Sequence, residues 1–540
     1  MFGIMMDKQL NIADILEYAA LYNTDAEIVT NTVEGGLHRY GYDDALLRTK
    51  KLANTLQSLG VEQGDRVATL AWNTYRHFEL YYAVSGMGAV VHTINPRLFA
   101  EQIVYIINHA DDQYVFVDLT FVPLLEAIQE QISGVKGIVV MTDPAHMPKS
   151  SLPNLLCYED LLSAQSDEFD WPQFDENLAA GLCYTSGTTG NPKGVMYSHR
   201  STVLHAMSSC RSSALNLGPM SRVLPVVPMF HVCAWGIPYA APIAGSSILF
   251  PGAGMDGVSL YGLIDGEKAT ALLGVPTVWL GLLNYIESVK GNLDTVESVV
   301  IGGSAAPRSM MEKFSEVYDV FPIHAWGMTE MSPMGSLCAM TPYLKNANKE
   351  ARMRIQSKQG RAVFGVEMRI VDDNDKPLPH DGKTFGKLMV KGPWVASGYY
   401  KNDDLSAFRG GWFDTGDVST IDAMGYMQIV DRSKDVIKSG GEWISSIELE
   451  NFAVGHAGVV EACVVGIAHP KWDERPLLLI VRKEGSSSTK EDIIAYLTDK
   501  VAKWWLPDDV VFVESLPHTA TGKLLKTEVR AKFENHYQAQ

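Results

Sequence analysis

The most informative segment of this chain is YTSGTTGNPKGV, residues 184–195, which follows the apolar run LAAGL. Its four Ser and Thr residues are interleaved with Gly187 and Gly190 and are followed by Lys193 and Gly194. Glycines let the backbone turn its N–H groups toward a bound anion, hydroxyls add donors, and the lysine adds positive charge. A flexible linker can have a similar composition, but it has no need of an N-P-K-G turn directly after TSGTTG. The segment therefore predicts a loop that holds a polyphosphate.

Two common nucleotide-binding motifs do not fit the chain. No G-x-x-x-x-G-K-[ST] pattern can be laid on the loop, so it is not a Walker A loop. Gly252, Gly254 and Gly257 match G-x-G-x-x-G, but no acidic residue follows about 20 positions later to bind a ribose. We therefore reject a dinucleotide-dependent dehydrogenase.

Short apolar runs alternate with helical patterns over most of the chain and predict an α/β fold with layered, mostly parallel sheets. These runs are residues 65–72, 114–119, 137–143, 246–252, 269–277 and 297–303. From about residue 360 to 431, alternating strands joined by Asp, Asn, Gly and Pro predict a barrel-like β subdomain. We expect an N-terminal domain over residues 1–431, a hinge at 432–436 and a small α+β domain over 437–540.

Composition and charge narrow the choice of partners. The 540 residues exceed what one hydrophobic core supports, and the net charge of −18 disfavours nucleic acid and anionic membranes. The six cysteines form no C-x-x-C pair and no zinc pattern, which favours free thiols in a reducing compartment. The apolar stretch 223–255 is interrupted by prolines, and the first residues lack a signal-peptide pattern. We expect a cytoplasmic protein without a membrane span.

Further motifs follow the loop in a fixed order. They are VPMFHVCAW (227–235), GGSAAP (302–307), HAWGMTEMSP (324–333), GWFDTGD (411–417), DRSKDVIKSGGEWIS (431–445) and PHTATGKLLK (517–526). Over nearly the whole chain, this set resembles the adenylate-forming superfamily of acyl-CoA synthetases, luciferases and peptide-synthetase adenylation domains. Within it, the chain is most similar to the medium- and long-chain fatty-acyl-CoA ligase branch, and there to bacterial 3-methylmercaptopropionate–CoA ligases of dimethylsulfoniopropionate breakdown.

The resemblance implies an ATP site. Thr329 would bind the α-phosphate, and Glu330, with Thr185, would bind Mg²⁺, which prefers oxygen ligands. Trp326 would present a flat face to adenine, although a buried core Trp is the alternative. Asp417 and Arg432 would grip the ribose. The full set implied for ATP or AMP is Thr185, Ser186, Gly187, Thr188, Thr189, Gly190, Lys193, Gly303, Ser304, Ala305, His324, Ala325, Trp326, Gly327, Met328, Thr329, Asp417, Ile429 and Arg432.

The resemblance also implies that the C-terminal domain rotates between two half-reactions. Lys523 would bridge the substrate carboxylate and the α-phosphate, where a cation stabilises the developing charge. With Thr329 and Glu330, the expected catalytic residues include His231, for which a core histidine is the alternative. The rotation would turn about Lys434. The second orientation would bring in a tunnel for CoA, formed by Gly440, Gly441, Glu442 and Trp443.

The expected acyl pocket determines which acid is used. Its walls are assigned to His231, Val232, Trp235, Gly236, Val275, Pro276, Gly302 and Pro307. If Trp235 lies across the pocket, the floor is shallow and a short acid is favoured. We predict ligation of 3-(methylthio)propionate to CoA, with a C4–C10 fatty acid as the alternative. A free-standing adenylation enzyme that loads a carrier protein and a luciferase-type oxygenase are further alternatives. The resemblance implies a homodimer joined through the N-terminal domain.

Overall fold

The structure is a computed structural model that describes residues 3–185, 191–440, 442–518 and 524–537. Its strands, in chain order, are β1 (Glu27–Asn31), β2 (Leu37–Gly41), β3 (Arg66–Leu70), β4 (Val90–Thr93), β5 (Asp112–Val117), β6 (Gly137–Val140), β7 (Leu155–Cys157), β8 (Ala179–Tyr184), β9 (Gly194–Ser198), β10 (Arg222–Pro225), β11 (Ser247–Phe250), β12 (Ala271–Gly274), β13 (Ser298–Ile301), β14 (Phe321–Gly327), β15 (Met334–Leu337), β16 (Arg361–Ala362), β17 (Glu367–Val371), β18 (Gly386–Lys391), β19 (Phe408–Arg409), β20 (Trp412–Ile421), β21 (Met427–Arg432), β22 (Ile437–Ser439), β23 (Glu442–Ile444), β24 (Val459–His469), β25 (Asp473–Arg482) and β26 (Asp509–Val513).

The helices connect and cover these strands. They are α1 (Ala13–Tyr22), α2 (Tyr42–Ser58), α3 (Tyr75–Gly86), α4 (Ala100–Ala110), α5 (Val122–Ile128), α6 (Tyr158–Ser163), α7 (His199–Ser209), α8 (Val232–Trp235), α9 (Ile237–Ala244), α10 (Gly257–Glu267), α11 (Pro276–Val289), α12 (Arg308–Val317), α13 (Pro342–Asn346), α14 (Lys349–Gln356), α15 (Ser446–Val454), α16 (Lys490–Thr498) and α17 (Lys526–Lys532). Among the described residues, no helix is both long enough and apolar enough to cross a bilayer.

Two large, mostly parallel sheets form the first part of the molecule. One has the strand order β16-β15-β14-β13-β12-β10-β11-β1-β2 and the other β7-β6-β5-β3-β4-β8-β9. In the second sheet, only the edge pair β8–β9 is antiparallel. Helix α3 is buried along its whole length, and its residues join cores that belong to both sheets. The predicted α/β class with mostly parallel sheets is therefore confirmed.

Two smaller sheets complete the fold. Strands β17 to β21 form an antiparallel sheet in which Asp417 of β20 is paired with Arg432 of β21. Strands β22 to β26 form the last sheet, which packs against α15 and α16 around Ile437, Leu449 and Leu497. This smaller α+β unit at the C-terminal end agrees with the predicted fold class.

A short turn joins these last two sheets. The carbonyl of Arg432 accepts hydrogen bonds from the backbone N–H groups of Asp435 (2.8 Å) and Val436 (3.0 Å). Across the turn, Arg530 of α17 contacts the Asp435 carboxylate at 2.8 Å. The turn coincides with the hinge assigned to residues 432–436. The domain boundaries themselves stay predictions.

Candidate active site

A cavity of about 850 Å³ opens where the parallel strands of the nine-stranded sheet end. It begins at Leu273 of β12 and Val300 of β13, and it continues along the end of β14 toward the antiparallel sheet. Residues of α15 and of the segment 524–527 form its opposite side. Ligands of open α/β sheets bind outside the carboxyl ends of the strands, which is where this cavity lies.

The predicted phosphate loop is closed at its base. The backbone N–H of Thr185 donates to the carbonyl of Lys193 at 2.9 Å, and the Lys193 N–H donates to Oγ1 of Thr185 at 3.2 Å. Both residues line the cavity. Ser186, Gly187, Thr188, Thr189 and Gly190 lie outside the described residues. Thr185 and Lys193, on either side of these five residues, therefore face the cavity.

Thr329 and Glu330 lie in a 3-10 turn directly after β14, and both line the cavity while being largely buried. Two tyrosines hold this turn. Tyr197 donates its hydroxyl to the carbonyl of Thr329 at 2.6 Å, and Tyr399 donates its hydroxyl to Oε1 of Glu330 at 2.8 Å. Because a buried carboxylate needs a hydrogen-bond partner, Tyr399 satisfies one oxygen of Glu330.

Trp326, Asp417 and Arg432 form one connected group. The indole Nε1 of Trp326 donates to Oδ2 of Asp417 at 3.1 Å, and Nε of Arg432 lies 3.0 Å from Oδ1. Trp326 and Arg432 line the cavity, whereas Asp417 is buried behind them. Behind Trp326, a Cβ at Gly335 would lie 2.5 Å from its six-membered ring. Asp417 thus fixes the two neighbours that face the predicted adenine and ribose.

The acyl side of the cavity is apolar. Val232 and Trp235 line it together with Leu215, Leu273 and Val300. Trp235 lies against Gly302, because a Cβ at that glycine would be 2.9 Å from Cη2 of Trp235. His231 also lines this side. Trp235 and Gly302 thus form a contiguous part of the wall predicted to hold the acyl group.

Helix α8 is a single left-handed turn. Val232, Cys233, Ala234 and Trp235 have φ values of 49°, 52°, 47° and 55°. Left-handed backbone costs L-residues about 1–2 kcal/mol each. The turn is held by the bond from the Ala234 N–H to the Pro228 carbonyl (3.1 Å) and by burial of its first three residues. Such strain persists only where the surroundings compel it, and it concentrates at functional sites.

His324 does not face the cavity. It is buried, its Nδ1 is 3.1 Å from the Ser357 carbonyl, and its Nε2 accepts from the Ala306 N–H at 3.3 Å. Burial lowers the pKa of His324 to about 4, so the imidazole is neutral at pH 7. Its contact with Ala306 supports the segment 302–306, whose residues Gly302, Gly303, Ser304 and Ala305 line the cavity.

The predicted residues divide into three groups. Those that line the cavity are Thr185, Lys193, His231, Val232, Trp235, Gly302, Gly303, Ser304, Ala305, Ala325, Trp326, Gly327, Met328, Thr329, Glu330, Arg432 and Lys434. Those that do not line it are Gly236, Val275, Pro276, Pro307, His324, Asp417, Ile429, Gly440 and Trp443. Gly441, Lys523 and the side chain of Glu442 lie outside what the structure describes, as do residues 186–190.

A buried polar cluster at the cavity wall was not predicted from the sequence. Nζ of Lys526 lies 2.5 Å from Oγ of Ser446 and 2.8 Å from Oε1 of Glu450. Oγ of Ser446 donates in turn to Oδ2 of Asp431 at 2.5 Å. The cluster links α15 and α17 to the strand that leads into the hinge turn. Only the position of Lys526, at the end of PHTATGKLLK, could have drawn attention to it.

The described residues contain no group of three or more His, Cys, Asp or Glu side chains placed to hold a metal ion. Glu330, a buried carboxylate, lines the cavity next to Thr329 in the chain. Magnesium that arrives on a nucleotide needs only one or two protein carboxylates, because phosphates and water supply its other ligands. The donor set therefore fits nucleotide-bound Mg²⁺ and does not fit a free-standing metal cage.

Family models match most of the chain. The model of the AMP-binding enzyme matches residues 16–400, and that of the AMP-binding enzyme C-terminal domain matches residues 448–523. This chain belongs to the AMP-binding enzyme family. The resemblance inferred from the motifs is thereby confirmed.

Individual relatives match this AMP-binding enzyme over nearly its full length. A 3-methylmercaptopropionyl-CoA ligase of Ruegeria lacuscaerulensis is 48% identical, and the match covers 99% of each chain. A medium-chain-fatty-acid–CoA ligase of Ectopseudomonas oleovorans is 47% identical, over 99% of this chain and 98% of the relative. Among solved structures, an anthranilate CoA ligase in complex with anthranoyl-AMP superimposes with a TM-score of 0.86. Its sequence is 25% identical, and the match covers 99% of each chain.

Proposed function

We propose that this AMP-binding enzyme is an AMP-forming acyl-CoA ligase that activates 3-(methylthio)propionate. In the first half-reaction, a carboxylate oxygen forms a bond to the α-phosphorus of ATP, and the bond to pyrophosphate breaks. In the second, the sulfur of CoA forms a bond to the carbonyl carbon of acyl-AMP, and AMP leaves. The observation that carries this proposal is one cavity in which an anion-binding end, with Lys193 and Thr329, meets an apolar wall.

Each group of side chains has a role in this scheme. Trp326 and Arg432 would hold adenosine, with Asp417 behind them fixing both. Lys193 and Thr329 would bind phosphate oxygens, where fixed positive charge and hydroxyl donors are most effective. Mg²⁺, held by Glu330, would neutralise charge on the phosphates.

Lys523 would enter with the C-terminal domain for the first half-reaction, and Gly440–Trp443 would replace it for the second. A mobile domain allows one cavity to serve two sets of reacting groups.

The choice of acid rests on the shape and softness of the apolar wall. Trp235 packs on Gly302 and occupies space that a long acyl chain would need. Met328 and Met334 line the same cavity, and thioethers are polarisable partners for another sulfur. The 48% identity to the Ruegeria 3-methylmercaptopropionyl-CoA ligase supports the same substrate.

A medium-chain fatty acid is the second candidate. The relative from Ectopseudomonas oleovorans, named for that activity, is 47% identical over nearly the same length. Overall sequence identity therefore does not distinguish between the two acids. The size of the pocket beside Trp235 would decide which of them is accepted.

The direct test is AMP formation by the full-length protein with ATP, Mg²⁺, CoA and one acid at a time. We expect kcat/KM to be highest for 3-(methylthio)propionate, lower for butyrate and lowest for octanoate. A clear preference for octanoate would show that the enzyme is a medium-chain fatty acid ligase, the second candidate. Absence of CoA-dependent AMP release with every acid, together with acyl-AMP that accumulates, would instead indicate an adenylation enzyme with another acceptor.

We also propose a cytoplasmic homodimer joined through the N-terminal domain. The resemblance to bacterial acyl-CoA ligases supports both statements. Light scattering on the purified protein would test the dimer, and a monomeric mass at micromolar concentration would contradict it.

A further inference from the structure

The segment after β18 is bonded to two of the motifs. The N–H of Ala396 donates to the carbonyl of Glu330 at 2.7 Å, and the N–H of Tyr400 donates to the carbonyl of Gly194 at 2.8 Å. Nothing in this segment was assigned a function from the sequence. Its backbone is nevertheless fixed both to the turn that carries Glu330 and to the end of the phosphate loop. Tyr399 lies between these two attachments and lines the cavity.

The hydroxyl of Tyr399 is bonded to Glu330. Its oxygen lies 2.8 Å from Oε1, and the phenol is the donor because an ionised carboxylate can only accept. Burial and the neighbouring carboxylate raise the pKa of Tyr399, so the phenol keeps its proton throughout the neutral range. Among the described residues, Tyr399 is the hydrogen-bond donor to the Glu330 carboxylate.

The ring of Tyr399 has a second partner on the phosphate side. The Nζ atom of Lys193 lies 4.8 Å from the ring centroid, a distance at which a cation is attracted by the face of an aromatic ring. Phe408 packs against the same ring in an edge-on arrangement, with centroids 5.4 Å apart. One side chain thus contacts both the cation and the carboxylate that the proposed function directs toward the triphosphate.

We propose that Tyr399 is a positioning residue that orients the Glu330 carboxylate for the Mg²⁺ of ATP and sets the resting place of Lys193. This inference rests on the proposed function. A hydrogen bond to Oε1 fixes the plane of the carboxylate and directs Oε2 away from the phenol. Partners that orient a metal ligand typically change metal affinity by about 10–100-fold when they are removed. Tyr399 would therefore act on the metal without touching it.

A tyrosine that only fills space would behave differently. Tyr399→Phe keeps the ring, its contact with Phe408 and its face toward Lys193, and it removes only the bond to Glu330. If packing is the whole role of Tyr399, this variant should be indistinguishable from the wild type. If positioning is its role, the loss should be confined to measurements that depend on the metal.

The experiment compares Tyr399→Phe, Glu330→Gln, the double variant and Tyr261→Phe in the full-length protein. Tyr261 is a matched control, because its hydroxyl receives a single bond at 3.4 Å from the Asn292 N–H, and it does not line the cavity. Binding of Mn²⁺ is followed by electron paramagnetic resonance in the presence of a non-hydrolysable ATP analogue. Binding of AMP in EDTA is followed by calorimetry.

We expect Tyr399→Phe to weaken Mn²⁺ binding about tenfold, within the range seen for such partners. Its affinity for AMP in EDTA and its thermal midpoint should equal those of the Tyr261→Phe control. The double variant should bind Mn²⁺ no more weakly than Glu330→Gln, because two residues that act through one contact are not additive. Tyr399→His, which keeps a ring N–H donor, should recover part of the affinity.

The outcomes separate this inference from the proposed function. Wild-type Mn²⁺ binding by Tyr399→Phe, together with weak binding by Glu330→Gln, would overturn the positioning role and leave the proposed function intact. Wild-type Mn²⁺ binding by Glu330→Gln would overturn the positioning role together with the metal role of Glu330, and the acid-dependent formation of AMP would still test the proposed function. An equal loss of AMP affinity in EDTA, or an additive double variant, would reduce Tyr399 to a packing residue.

Discussion

At Gly302 the absence of a side chain decides how Trp235 lies in the acyl wall. A Cβ at this position would be 2.9 Å from Trp235 and 3.2 Å from the carbonyl of Ala325. The indole therefore rests directly on the backbone of the strand end. The residue proposed to limit the length of the acid thus packs on a glycine that follows β13, so the shape of the wall depends on both residues.

We predict that Trp235→Ala changes the preferred acid. Removing the indole opens room for one or two more methylenes, each worth about 0.8 kcal/mol when buried. The ratio of kcat/KM for octanoate to that for 3-(methylthio)propionate should rise about tenfold, since 1.4 kcal/mol corresponds to a factor of ten.

Trp504→Ala provides the control for this prediction, because Trp504 is exposed and lies in the C-terminal part of the chain. Its ratio should equal that of the wild type. An unchanged ratio in Trp235→Ala would show that another part of the wall limits the pocket.

At the scale of single elements, α8 is the least regular part of the site. Four consecutive non-glycine residues adopt left-handed backbone there, and the sequence VCAW gives no sign of it. Because left-handed backbone is disfavoured for each residue taken alone, only the packing of the finished fold makes this turn the best solution.

We predict that glycine is tolerated in α8 better than in a regular helix. Ala234 and Ala240 of α9 are both fully buried, so each change to glycine removes the same methyl group. Ala240→Gly also loses about 1 kcal/mol of helix preference, whereas Ala234→Gly relieves about 1–2 kcal/mol of left-handed strain. In urea unfolding, the midpoint of Ala234→Gly should be the higher one. The reverse order would contradict the strain assigned to α8.

The regular elements were predictable because their pattern is local. The runs 65–72, 114–119 and 297–303 became β3, β5 and β13, since short apolar runs bounded by turns suit buried parallel strands. The motif residues near β14 could be located through the family resemblance. The resemblance did not point to Tyr197, Tyr399 or Lys526. The roles of these residues depend on partners distant in the chain, as Tyr197 depends on Thr329. His324 was assigned to the nucleotide but packs behind the segment 302–306.

On the scale of the whole molecule, a buried network connects α15 and α17 to the end of β21, where the hinge turn begins. Lys526, Ser446 and Asp431 are bonded in sequence, and the Arg530–Asp435 pair lies next to the hinge turn. A buried lysine is stable only with such partners. If the C-terminal domain rotates as proposed, the bond between Asp431 and Ser446 spans the hinge and has to open in each cycle.

We predict that Lys523→Ala separates the two half-reactions. Without the cation that joins carboxylate and α-phosphate, adenylation should fall by at least about a hundredfold, as expected when a group that stabilises charge in the transition state is lost. Conversion of supplied acyl-AMP and CoA to the thioester should stay near the wild-type rate. Pyrophosphate exchange measures the first step and chromatography of the thioester the second.

Lys483→Ala is the matched control for Lys523→Ala, because Lys483 is an exposed lysine of the same domain. Both of its half-reactions should match the wild type. Equal loss of both half-reactions in Lys523→Ala would contradict the alternation of domains.

Arg432 serves two structures at once. Its side chain holds Asp417 and lines the nucleotide end of the cavity, while its carbonyl closes the turn through the Asp435 and Val436 N–H groups. If this end of the cavity holds AMP and the turn is the hinge, as proposed, the stiffness of the joint and the retention of AMP meet at a single residue. A substitution that speeds product departure by removing the Arg432–Asp417 ion pair would also loosen the residue at which the turn begins, although the turn's backbone bonds would stay. Catalytic turnover and domain motion in this enzyme would then have to be optimised together.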